Sequence, residues 1–153
     1  MQSRNLNAKV EIQRSNENSI IFRVYPEFPI RVFSPGQYGS LGLLDDTKSK
    51  LIKRAYSISS SIIDLVHKNL ISQRDLKFLE FYINRVSINQ NKREQITPKI
   101  FSLNTGDKIY CGEKIVGHYI VNNPKKWKNI LLISTHTGES PNNTLDIAIP
   151  AKY

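Results

Sequence analysis

Lys53-Arg54-Ala55-Tyr56-Ser57-Ile58-Ser59-Ser60 reads as one short β-strand carrying a permanent cation, an aromatic ring and several hydroxyls. Extended backbone sends alternate side chains to opposite faces, so Arg54 and Tyr56 leave the same face about 7 Å apart. A guanidinium so placed suits a diphosphate, and the phenol beside it suits a flat ring system. A plain strand with a surface arginine and a half-buried tyrosine fits the same eight residues, so the string alone leaves both readings open.

The flanking sequence supplies more strands. Ala8 to Gln13 and Ser19 to Tyr25 are short and rich in β-branched or aromatic residues, and the polar turn Arg14-Ser15-Asn16-Glu17-Asn18 makes them a hairpin. Pro26-Glu27-Phe28-Pro29 interrupts the ladder, and the Pro35-Gly36 turn feeds a further strand from Gln37 to Leu43. Asp45 to Lys50 is a charged loop that leads into the Arg54 strand. Ser61 to Lys77 is expected to be a partly helical insertion. In Leu79 to Val86, Leu79, Phe81 and Ile83 share a core face, and Glu80, Tyr82 and Asn84 share a face available to a ligand. After the loop Ser87 to Gln95, Thr97 as N-cap, Pro98 at the first helical position and Gly106 beyond the end predict a short helix. Its free N–H groups are expected to form an anion site. Ile109 to Cys111 and Lys114 to Val121 return to strand. Six or so short strands with one small helix predict a mainly β fold, a closed antiparallel barrel.

From Asn129 the pattern changes. Ile130-Leu131-Leu132-Ile133-Ser134 is a continuous apolar run of the kind buried on both faces in a parallel sheet. With a polar turn from Thr135 to Pro141 and a helix start from Asn142 to Ala148, it forms the first third of a nucleotide-binding βαβ unit. The expected organisation is a barrel domain over 1–124, a linker over 125–128 and the truncated start of a second domain over 129–153.

Length and composition fit one globular domain: 153 residues with 39% hydrophobic content. No run approaches membrane-spanning length and the N-terminus lacks the apolar stretch of a secretory signal, so a cytoplasmic address without integral membrane contact is expected. The single cysteine, Cys111, excludes an intramolecular disulfide and any multi-cysteine metal site, and it fits a reducing compartment. His67, His118 and His136 are too scattered to predict a metal site, and Asp45-Asp46 reads as a turn pair. A net charge of +9 implies attraction to something acidic without choosing what.

Taken in order, Pro35-Gly36-Gln37-Tyr38, Leu41-Gly42-Leu43, Arg54-Ala55-Tyr56-Ser57, Leu79-Glu80-Phe81-Tyr82, Thr97-Pro98-Lys99-Ile100, Gly106-Asp107 and Ser134-Thr135-His136-Thr137-Gly138-Glu139 resemble the flavin domain of bacterial ferredoxin–NADP+ reductases. The match runs from about Ala8 to Asn143. The resemblance implies a six-stranded antiparallel barrel with a capping helix that holds FAD non-covalently along the strand of Arg54, Ala55, Tyr56 and Ser57. Arg54 would pair with the diphosphate, Tyr56 would stack on the isoalloxazine ring, and Ser57 would lie near the ring edge that accepts hydride, which makes Tyr56 and Ser57 the expected catalytic pair. Because Ser57 points away from Tyr56 in a regular strand, its role requires a strand end or a twist there. The second strand of the family site maps onto Tyr82, Ile83, Asn84 and Arg85, the segment before the helix onto Gln95, Ile96 and Thr97, and the family threonine at the domain junction onto Thr137.

The implied activity of the complete enzyme is electron transfer between NADP(H), its substrate, and ferredoxin or flavodoxin, an acidic partner that the positive charge suits. This chain departs from the family where His136 replaces a glycine, in the insertion from Ser61 to Lys77, and in its length. From a different class, the alternative is a basic small barrel that grips single-stranded nucleic acid with Tyr25, Tyr38, Tyr56 or Tyr82 as stacking platforms.

Overall fold

The computed structural model describes residues 6–45, 47, 49–64, 70–85, 95–120, 126, 128–135 and 138–142. Strands β1 (Ala8–Ser15) and β2 (Ser19–Pro26) form the expected hairpin. The Asn16 side-chain oxygen accepts from the N–H groups of Asn18 at 2.9 Å and Ser19 at 2.8 Å, which is the local reason the chain reverses there. β3 (Tyr38–Leu44), β4 (Leu51–Ser57), β5 (Leu79–Asn84) and β6 (Lys108–Cys111) complete a six-stranded sheet in the order β4-β3-β6-β1-β2-β5. Every neighbouring pair is antiparallel.

Strand alternation builds the core. Val10, Ile20, Phe22 and Val24 of the hairpin meet Leu79, Phe81 and Ile83 of β5 and Leu41 of β3 on the inner face. The rings of Phe22 and Phe81, directly paired in register, stack with centroids 5.8 Å apart. The expected six antiparallel strands are all present, but the sheet is not closed. Its edge strands β4 and β5 approach each other through an isolated bridge between Ile58 and Phe81 and the Ser59 N–H donating to the Glu80 carbonyl at 2.8 Å. Beyond that bridge the two edges part, leaving an opening lined by both.

Several local expectations are corrected. The helix α1 (Thr97–Ile100) is a single turn; its N-cap is Ile96 rather than Thr97, and it ends at Phe101. Gly106 belongs to a separate turn at φ 99, where its N–H donates to the Val10 carbonyl at 2.8 Å. One turn of helix brings only a small dipole, so the anion site expected from it loses most of its physical basis. No helix occurs among the described residues 61–64 and 70–77; Ile62, Ile63 and Leu76 are buried there and Ile63 bridges Leu70. The β-branched pair Ile62-Ile63 favours extended packing over a helix.

Of Lys114 to Val121, Val116 alone among the described residues makes a bridge, to Tyr38. Residues 130–134 form no strand, with Leu131 82% and Ile133 77% exposed, because no neighbouring strand among the described residues covers them. Residues 139–142 are helical, and of the helix start expected over Asn142 to Ala148 all but Asn142 lies outside the described residues.

Candidate functional site

Register fixes which way β4 faces. Ile52, Arg54 and Tyr56 lie opposite Leu43, Leu41 and Gly39 of β3, and residues directly opposite in an antiparallel ladder share a face. Leu41 and Leu43 are buried, so Arg54 and Tyr56 occupy inner-face positions between the buried Ile52 and Ile58. Yet Arg54 is exposed and Tyr56 half-buried. Both stand where the sheet fails to close, so the inner face of this edge strand looks into the opening rather than into packed core. Among the described residues Arg54 has no carboxylate partner; its Nη1 donates to the Lys53 carbonyl at 2.9 Å.

The Tyr56 hydroxyl and the Thr97 hydroxyl share a hydrogen bond of 2.9 Å, in which either is the donor. Burial raises the Tyr56 phenol above its ordinary range, opposed by the bond to Thr97 and by the Arg54 charge. The ring is therefore a neutral phenol anchored at its polar end. Around it lies a cleft of about 400 Å³ that brings together Ala55, Tyr56 and Ser57 of β4, Tyr82, Ile83 and Asn84 of β5, and Thr97 of α1. Ser57 is the last residue of β4 and lines the cleft.

The remaining sequence-derived positions fall elsewhere. Arg85 lines a neighbouring polar cleft of about 630 Å³ with Asn16 to Ser19, and the two clefts share Tyr82 and Asn84. Its guanidinium sits 4.4 Å over the Phe101 ring. Ile96 is 1% exposed, so its side chain is core, and its carbonyl accepts the Ile100 N–H at 3.1 Å. Gln95 is half-buried and outside the cleft lining. Thr137 and its neighbour His136 lie outside the described residues.

Sequence reasoning missed the wall formed by Gly138, Ser140 and Pro141. The Ser140 hydroxyl, 1% exposed as a residue, donates to the Ser57 carbonyl at 3.0 Å, and the Tyr119 hydroxyl donates to Asn142 Oδ1 at 2.7 Å. The only signal in the sequence was position: Gly138 lies within the Ser134 to Glu139 motif, and Ser140 and Pro141 directly follow it. Among the described residues no cluster of His, Cys, Asp and Glu is arranged to hold a metal ion, and no helix is long and apolar enough to cross a membrane.

No protein-family model matches the chain. It is 30% identical over 132 residues, 86% of its length, to the flavodoxin/ferredoxin–NADP reductase of Buchnera aphidicola subsp. Baizongia pistaciae. The chain spans 45% of that relative. Among solved structures, a cytochrome P450 reductase from Amycolatopsis superposes with a TM-score of 0.65 at 20% identity over 96% of this chain and 39% of that one. The ferredoxin–NADP+ reductase of Plasmodium falciparum superposes with a TM-score of 0.58 at 19% identity, over 91% of this chain and 50% of that one. The Neisseria gonorrhoeae ferredoxin–NADP+ reductase, solved with FAD and NADP, gives 0.56 at 18% identity, over 80% and 41%. The resemblance read in the motifs holds, and the chain has the fold of a ferredoxin–NADP+ reductase-type flavin domain.

Proposed function

We propose that the cleft between β4, β5 and α1 holds FAD non-covalently, and that the chain is the flavin-holding part of an oxidoreductase that moves electrons between NADP(H) and ferredoxin or flavodoxin. One observation carries the reading: Tyr56, its phenol fixed by Thr97, stands in an opening of the sheet beside an inner-face arginine that has no acidic partner among the described residues. A buried-row cation without a counter-ion favours an anionic ligand, and a half-buried aromatic wall favours a flat one. The residues present fit the group. Tyr56 would carry the ring, Arg54 the diphosphate, Ser57 the reacting ring edge, and Ala55, Ile83 and Thr97 the surrounding wall. The second cleft, which shares Tyr82 and Asn84 with the first and is lined by Arg85, offers length for the rest of an elongated dinucleotide. Gln95, Ile96 and Thr137 are proposed to complete the site, Ile96 through its backbone because its side chain is core.

When bound, FAD supplies the hydride and single-electron chemistry; the protein supplies position and electrostatics. The division into a barrel domain over 1–124, a linker over 125–128 and a second domain beginning at 129 is part of the same proposal. The net charge of +9 supports an acidic redox partner, since attraction raises the encounter rate at low salt. The nucleic-acid reading has no comparable support. Tyr25 pairs with Lys9 on the outer face, bonded to Glu11, whereas Tyr56 is on the inner face, so the two do not form one stacking track. Titrating the purified chain with FAD tests the proposal. A yellow complex with quenched flavin fluorescence is expected, and a chain that retains no flavin once free FAD is removed by gel filtration overturns it.

A further inference from the structure

Ser57 ends β4 at the point where the sheet opens, and its backbone faces the opening. The reason is in the ladder. Both the N–H and the carbonyl of Tyr38, the residue opposite Ser57, bond to Val116, at 2.8 and 3.1 Å, while the next residue, Ile58, donates to the Gln37 carbonyl at 3.0 Å. Hydrogen-bonded and non-bonded pairs alternate in an antiparallel ladder, so Tyr38 and Ser57 form a non-bonded pair and the Ser57 carbonyl points away from β3, toward the open edge. β5 lies on that side, bridged to the residue after Ser57 by the Ile58–Phe81 pair. The Ser140 hydroxyl donates to the same carbonyl at 3.0 Å across 83 residues of chain. The turn that carries Ser140 is itself tied down by the bond from Tyr119 to Asn142, and both Ser140 and Asn142 are buried.

We propose that Ser140 is a positioning residue for Ser57: by donating to its carbonyl from outside the sheet, it fixes the last residue of β4, which lines the cleft. The proposal rests on the FAD reading of that cleft. Ser140 reaches the cofactor through Ser57, and the turn at 138–142 braces the end of β4 at this one position.

The test is a double-mutant cycle on the full chain, read by FAD titration and by the visible absorption band of the bound flavin. Ser140→Ala is expected to bind FAD roughly three- to tenfold more weakly, the range of one net hydrogen bond, with an altered band shape. In a Ser57→Ala background the same change is expected to add nothing further. A purely structural serine would weaken binding equally in both backgrounds, and that additivity would overturn the proposal. So would an alanine variant with wild-type affinity and spectrum. Ser140→Cys, close in size and a weaker donor, carries the same expectation if the alanine variant does not fold. Wild-type protein that binds no FAD would defeat the cofactor reading itself, whereas normal wild-type binding with an indifferent Ser140 defeats only the positioning role.

Discussion

The Tyr56 and Thr97 hydroxyls lie 2.9 Å apart across 41 residues of chain, joining the edge strand β4 to the single turn of α1. This bond fixes an aromatic ring at the mouth of an unclosed sheet. Tyr56→Phe keeps the ring and loses the bond, so it should cost about 1 kcal/mol of stability and weaken FAD binding less than tenfold. Thr97→Val should reproduce that loss, and the double variant should be no worse than either single one. Tyr56→Ala removes the ring and should weaken FAD binding well beyond tenfold. Denaturant midpoints and fluorescence titration measure both effects.

Arg54 is exposed, so its attraction to a diphosphate is open to screening by salt. FAD affinity of the wild type should fall as ionic strength rises. Arg54→Ala should lose about tenfold or more at low salt and show a flatter salt dependence. Arg54→Lys keeps the charge but not the planar fork, and should fall between the two. Equal salt slopes in wild type and Arg54→Ala would remove Arg54 from the site.

Burial pushes the Cys111 thiol from 9.0 up to about 12. Thiol reagents at pH 8 should therefore label it only when the sheet opens, with a rate that climbs in urea. The folded value lies above the unfolded one, so the group's contribution to stability is whole below pH 9 and is lost as pH rises toward 12, at up to about 1.4 kcal/mol per pH unit. Cys111→Ala should remove that part of the alkaline decline. Rapid labelling of native protein at pH 8 would contradict the burial.

Gly36 adopts φ 88, and a Cβ there would stand 1.7 Å from the Tyr119 carbonyl oxygen. Gly36→Ala should cost about 3 kcal/mol or more, because backbone cannot move aside as a side-chain tip can. Gly106 has a similar φ of 99 with open space around it, so Gly106→Ala should cost only about 1 kcal/mol from conformation alone. Denaturant melts of the two variants give the contrast, and equal losses would refute it.

The sequence by itself determined the strands and the residue types of the cleft. Alternation in Leu79 to Asn84 and in the hairpin marks inner and outer faces, since side-chain direction along a strand is a local property of extended backbone. The same alternation put Arg54 and Tyr56 on one face. Local pattern failed where long-range partners decide. Thr97 looked like a helix cap, but a tyrosine 41 residues away holds its hydroxyl. The apolar run Ile130 to Ile133 looked like a buried strand, yet burial depends on neighbouring strands that no window of sequence reveals, and Leu131 and Ile133 are exposed. Only the tertiary structure decided that β4 and β5 meet no further than the bridge at Ile58 and Phe81, which turns two core-row positions, Arg54 and Tyr56, into the wall of a cleft. Only it brought Ser140 to Ser57, because a carbonyl has two lone pairs and takes whatever donor the fold carries to it, however distant in sequence.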